Sequence, residues 1–140
     1  RRRTRMNNNL GKSAFGLDPN VAAGLAYVPV LFCHLIDSIG VLATDKTNKL
    51  PRFHAVQSLL HTAVMFVAAI IFVIAFIVVM AIVAVSQVPA LVFLIFLVYI
   101  GFLLFALVWV IGLVIACIKG FQGQIFKLPI IGNMADKWSD

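Results

Sequence analysis

Four polar side chains near one end of a long apolar stretch have a spacing that could support chemistry. They recur at helical intervals, which places them on one face of a helix: His54, Gln57, Ser58 and His61. Such a stripe could line a polar cavity, bind a lipid headgroup, or bring an imidazole to the iron of haem or the magnesium of chlorophyll. The alternative is a packed helix contact in which polar side chains satisfy each other.

A second candidate pair lies in a more N-terminal apolar segment. His34 and Asp37 are three residues apart, and a histidine oriented by a carboxylate can shuttle protons or ligate a metal. The alternative is that Asp37 lies near the far end of its segment, where it meets headgroup water or pairs with a basic residue. The candidate cofactor ligands are therefore His34, His54 and His61. The sequence firmly implies no cofactor: bound lipid fits these residues, and haem or chlorophyll is the less favoured choice.

Other chemistries lack the residues that they need. Glutamate is absent and only five aspartates are present, and Cys33 and Cys117 have no metal-binding spacing. Gly11, Lys12 and Ser13 resemble the end of a phosphate-binding loop, but Met6 stands where the first glycine of that motif is required. We therefore expect no enzyme, no metal site and no nucleic-acid partner.

The elements that position these residues belong to a membrane protein. Hydrophobic residues make up 63% of the chain and charged residues 11%, against about 45–50% and about 25% in soluble domains. No Asp, Glu, Lys or Arg occurs between Arg52 and Lys119, a stretch long enough for two membrane-spanning helices. Pro89 lacks an N–H and disfavours a helical residue before it, so the chain must turn there. We predict a long two-helix hairpin over residues 53–85 and 89–118.

A third apolar segment covers residues 21–43 and contains Gly24 and Pro29. It could span the membrane, or it could re-enter from the side on which it started. If it spans, the eleven basic residues divide into five and six, whereas a re-entrant segment leaves all of them on one side. The predicted fold is thus an all-α, polytopic integral membrane protein with a long two-helix transmembrane hairpin and a third transmembrane or re-entrant segment. We expect the hairpin ends on the cytoplasmic side of a bacterial inner membrane.

The flanking segments are expected to lie at the membrane surface. Residues 1–17 form a basic, flexible tail that anionic headgroups attract, residues 18–140 form one membrane domain, and residues 119–140 form its interfacial tail. Arg52 is expected among the headgroups with Phe53 as an anchor, and Lys127 and Pro129 have the same role in the C-terminal tail. Within this chain, the polar stripe can be covered by His34, Asp37 and Ser38 or by Gln122 and Gln124. We expect contact with one of these.

Three blocks of sequence together resemble a known family: residues 20–27, 52–58 and 121–132. They are similar to small bacterial membrane proteins of undefined function, which are related to the twenty-kilodalton subunit of the chloroplast inner-envelope protein translocon. The resemblance covers most of the chain and implies the helical architecture. Two positions depart from the family pattern: Asn133 replaces an acidic residue, and Asp45-Lys46 stands further from the second block than the usual Glu-Lys pair.

The expected function is that of a non-catalytic small integral membrane subunit or scaffold of a larger membrane complex. Its partners would be membrane lipids and other membrane protein subunits. The resemblance implies an alternative, a protein-translocation or transport channel element. A further alternative is an accessory pigment- or haem-associated subunit of an energy-converting complex.

Overall fold

The computed structural model of the protein describes residues 11–86 and 88–139. The regular structure of these residues is helical, without strands, which confirms the all-α class. The helices are α1 (Pro19–Leu25), α2 (Cys33–Thr44), α3 (Lys49–Ser86), α4 (Val92–Phe121) and α5 (Ile131–Trp138). Short 3₁₀ turns lie at Ala14–Gly16, Val30–Phe32 and Pro89–Leu91.

The two long helices α3 and α4 form where the apolar sequence predicts them. α3 has 38 residues and α4 has 30, so at 1.5 Å per residue they are about 57 Å and about 45 Å long. Both are long and apolar enough to cross a membrane. α3 ends at Ser86 and the next turn begins at Pro89, which confirms the predicted break.

The third apolar segment is not one helix. It is divided into α1, the Val30–Phe32 turn and α2, with Pro29 immediately before that turn. α2 has 12 residues and is about 18 Å long, too short for a hydrocarbon core of about 30 Å. A third transmembrane helix is therefore not shown, and the re-entrant arrangement stays a prediction.

The chain divides into two compact units. The first, which we call the polar unit, comprises residues 11–62 and 112–139 of the described chain. The second, the apolar unit, comprises residues 63–111. All Lys and Arg residues that the structure describes belong to the polar unit.

The core of the polar unit is built mainly from small side chains. Ala14, Ala22, Val41 and Ala55 form one buried cluster, which joins the Ala14–Gly16 turn to α1, α2 and α3. Ala14 therefore packs within the fold, although residues 1–17 are expected to be a flexible tail; residues 1–10 of that tail lie outside the described residues.

α1 and α4 approach closely at Gly120. A Cβ added to Gly120 would lie 2.6 Å from the carbonyl oxygen of Ala23, so only glycine permits this contact. The side chain of Phe121 lies equally close over Gly24 of α1. Because the backbones of α1 and α4 are in direct contact here, the distance between α1 and the end of α4 is fixed.

The apolar unit exposes its side chains along both helices. Phe72 of α3 and Phe102 of α4 pack with ring centroids 4.4 Å apart. Beside them is an open apolar groove of about 360 Å³, lined among others by Ala68, Ala75 and Gly101. A soluble protein would bury such surface, whereas hydrocarbon solvates it.

Candidate functional site

The polar stripe of α3 faces protein. His54, Gln57 and Ser58 are completely or almost completely buried, and His61 is nearly so. They are covered by the end of α1 and by residues 124–128, which follow α4. The stripe therefore contacts both the N-terminal segment and the C-terminal tail, through atoms other than the side chains expected to cover it.

The protonation of His54 follows from its two partners. Nε2 lies 3.1 Å from the carbonyl oxygen of Gln124, which only accepts hydrogen bonds, so Nε2 carries the proton. Nδ1 lies 3.0 Å from the hydroxyl of Tyr27 and therefore accepts its proton in a neutral ring. Both ring nitrogens are used, which argues against His54 as an axial ligand of haem or chlorophyll.

Gln57 closes this network. Its Nε2 donates to the Tyr27 hydroxyl at 2.8 Å and to the carbonyl of Phe126 at 3.0 Å. Its Oε1 accepts from the backbone N–H of Leu128 at 3.0 Å. These hydrogen bonds are all consistent with one orientation of the Gln57 amide. The amide pairs with the backbone of residues 126–128 as a neighbouring β-strand would. We call Tyr27, His54, Gln57 and the backbone of residues 124–128 the buried network.

Tyr27 is the member of this network that sequence reasoning did not single out. Its ring is buried and packs edge-on against His54, with ring centroids 5.5 Å apart. Burial raises the pKa of Tyr27 above its usual value, so the hydroxyl stays a donor. Tyr27 could have been identified by a chemical argument, because a buried tyrosine needs a hydrogen-bond partner. Ser58 adds a further tie by donating to the carbonyl of Ala26.

Arg52 and Phe53 lie differently from the expectation of a headgroup anchor. Nε of Arg52 donates to the carbonyl of Ser139 at 2.9 Å, and Nη1 donates to the carbonyl of Asp45 at 3.0 Å. Phe53 is completely buried and packs with Val56 and Ala135. The arginine therefore joins three segments of the polar unit, because its planar fork can reach two carbonyl oxygens at once.

Lys127 and Pro129 occupy the surface of the C-terminal tail, and Pro129 is exposed. Nζ of Lys127 lies 2.7 Å from Asp136, and Lys49 of α3 lies 3.7 Å from the same carboxylate. The hydrogen bond from Lys127 lowers the pKa of Asp136. These exposed ion pairs orient α5 and contribute little free energy.

His34, Asp37 and Ser38 are not joined to the buried network. The carboxylate oxygens of Asp37, Oγ of Ser38 and Nδ1 of His34 are buried atoms without a hydrogen-bond partner among the described residues. His61 lies beside α4, where a Cβ added to Gly112 would be 3.7 Å from its Nε2. The three histidines thus have three different surroundings, and no group of three potential metal ligands occurs in the described part of the chain.

This structure defines a class: a small helical membrane protein with two candidate spanning helices and a hydrogen-bonded polar unit. The chain is 32% identical to the UPF0132 membrane protein MJ1443 of Methanocaldococcus jannaschii, over 93% of its own length and 96% of the relative's. It belongs to this family, the UPF0132 membrane proteins. No family model matches the chain, and no solved structure matches it either.

Proposed function

We propose that the protein is a non-catalytic integral membrane subunit or scaffold of a larger membrane complex. The observation that supports this most is the completeness of the buried network. His54 and Gln57 are fully used in holding residues 124–128, so they fix the shape of the polar unit and have no group left for a substrate. Residues arranged in this way stabilise the fold of the polar unit, and therefore the surface that it presents to a partner.

The apolar unit offers the surface that a neighbouring subunit would contact. Small residues allow close helix approach in membranes, and Ala68, Ala75 and Gly101 line its groove. A Cβ added to Gly101 would meet nothing within 4 Å, so the groove is open at that point. A transmembrane helix of another subunit would gain packing contacts there that lipid chains make less well.

The basic residues indicate how the protein would be oriented. All described Lys and Arg residues lie in the polar unit, which would meet the anionic lipids of a cytoplasmic leaflet. We therefore propose a cytoplasmic membrane location, with the ends of the α3–α4 hairpin on the cytoplasmic side. The bacterial identity of that membrane rests on the sequence resemblance.

Isolation of the chain from its native membrane in a mild detergent, followed by native mass spectrometry, tests the proposal. We expect a complex with at least one other membrane protein. Gly101→Leu should release that partner, because it fills the groove. Val108→Phe is the matched control, since it enlarges an exposed residue of the same helix that does not line the groove. A lone chain in every mild detergent would refute the proposal.

The other expected functions are separated by direct measurements. A translocation or transport element, as the resemblance to the chloroplast translocon subunit implies, should conduct ions or polypeptide in planar bilayers. The relation to the translocon subunit is supported by the three sequence blocks at residues 20–27, 52–58 and 121–132 alone. A pigment- or haem-associated subunit should absorb visible light as isolated, with His34 or His61 as the remaining imidazole ligands. Either result would replace the scaffold proposal.

A further inference from the structure

α2 has its polar side chains inside and its apolar side chains outside. Asp37 is 5% exposed and Ser38 is completely buried, whereas Ile36 and Ile39 are each 60% exposed. This is the reverse of a helix on a soluble protein. It places a carboxylate and a hydroxyl in the interior of the polar unit, away from the lipid or water around it.

The carboxylate of Asp37 lacks a neutralising partner within the described residues. Among residues 11–86 and 88–139, neither oxygen has a hydrogen-bond donor and no ion pair includes Asp37. A buried carboxylate in this condition is costly, so it is stable only as the neutral acid or with a bound cation.

The described elements around α2 do not provide a fixed countercharge. The Ala14–Gly16 turn, α1 and the Val30–Phe32 turn contain no charged or titratable residue. α3 meets α2 in the buried cluster that contains Ala55 and Val41. The ionisable groups of α3 within six residues of Ala55 are Lys49, which pairs with Asp136, Arg52, which donates to backbone carbonyls, His54 in the buried network, and His61. On α2 itself, His34 lies one turn before Asp37 with a buried Nδ1.

We propose that Asp37, together with Ser38, forms a binding site for a small monovalent cation, supplied either as a proton or as a sodium ion. The carboxylate provides the charge and the serine hydroxyl a neutral oxygen ligand. Binding of sodium to the neutral acid releases one proton from the carboxyl group, so the two ions compete.

Burial supports an exchange near neutral pH, since it raises the pKa of Asp37 from 3.8 to about 7. Between these values the folded state holds a proton that the unfolded state has released. Stability therefore falls as pH rises through this window and stays low above it, unless another cation replaces the proton. Replacing Asp37 by a residue that cannot ionise should abolish this loss of stability with rising pH.

Thermal unfolding of the full chain in lipid nanodiscs tests the proposal. We expect the Tm of the wild type to fall relative to that of Asp37→Asn, which imitates the neutral acid, between about pH 4 and about pH 7 in choline chloride. The comparison cancels the titration of the groups that both proteins share. Asp18→Asn is the control, because Asp18 is an exposed carboxylate paired with Lys12, and it should leave the fall unchanged.

Sodium distinguishes the two sources of the cation. If sodium chloride restores the Tm of the wild type at about pH 8 and Ser38→Ala weakens that restoration, sodium occupies the site; if only pH changes the Tm, the proton does. Infrared spectra provide a second readout, in which the band of a protonated carboxyl should disappear with rising pH and be absent from Asp37→Asn. Equal pH profiles for wild type and Asp37→Asn, with no such band, would overturn the proposal.

Discussion

Replacing Gln57 by leucine tests whether the buried network holds the C-terminal tail. Leucine is similar in size but removes the donor to Phe126 and the acceptor for Leu128, so two backbone groups lose the partners that they have in the structure. Each orphaned buried group costs about 1–3 kcal/mol, and the buried apolar side chain returns about 1 kcal/mol. We therefore expect Gln57→Leu to lower the free energy of unfolding by about 1–5 kcal/mol.

Two measurements check this expectation in detergent micelles. Unfolding by a denaturing detergent, followed by circular dichroism, gives the change in stability. Hydrogen exchange of residues 124–130 reports whether the tail has been released, and it should be faster in Gln57→Leu.

Gln122→Leu is the matched control for both measurements. Gln122 is an exposed glutamine of the same tail, and its side chain accepts an exposed hydrogen bond from Lys119. Its replacement should change stability by less than about 0.5 kcal/mol. If Gln57→Leu destabilises no more than Gln122→Leu and exchange of the tail is unchanged, the network does not hold the tail and the reasoning is refuted.

Three further predictions concern other contacts of the polar unit. Gly120→Ala should cost about 1–3 kcal/mol in the same unfolding assay, because its Cβ would overlap the backbone of Ala23; Gly101→Ala, with open space, should be neutral or stabilising. Tyr27→Phe should cost about 1–3 kcal/mol, because His54 loses a donor and Gln57 loses an acceptor; a change within error would contradict the assigned hydrogen bonds. Asp136→Asn should cost less than about 1 kcal/mol, and that small loss should vanish in high salt and in acid that protonates Asp136, since the ion pair with Lys127 stabilises the fold only while Asp136 is ionised.

The helix ends show what local sequence could predict. The break after Ser86 follows from Pro89, whose missing N–H and restricted neighbour act locally. The start of α3 at Lys49 depends on a side chain instead. Asp45 accepts the backbone N–H groups of Thr47 and Asn48 and so organises the turn before the helix. This acceptor role lies outside the hydrophobic pattern, which predicts the helix but not its first turn.

The buried network shows where sequence reasoning stops. Helical spacing predicts that His54, Gln57 and Ser58 share a face, and energetic reasoning predicts that protein covers them. Their partners were not predictable in the same way. Tyr27 reaches the stripe only because the chain turns after α1, and the carbonyls of Gln124 and Phe126 have no side-chain signature. Backbone partners that come from distant segments leave no pattern in a single sequence.

The polar unit has the inverted character that a membrane environment favours. Ser38 and Gln57 are completely buried, while Phe32 is 70% exposed and Ile130 is 84% exposed. In water this arrangement would be unfavourable, because the exposed apolar groups would gain no stabilisation from burial and the buried polar groups would lose their hydration. Next to hydrocarbon the preference reverses, since lipid tolerates the exposed apolar groups and cannot hydrogen-bond the polar ones. The hydrogen bonds of Gln57 therefore determine which segments pack together in this unit. Asp37 has no such hydrogen bonds among the described residues, and a bound cation would stabilise its carboxylate instead.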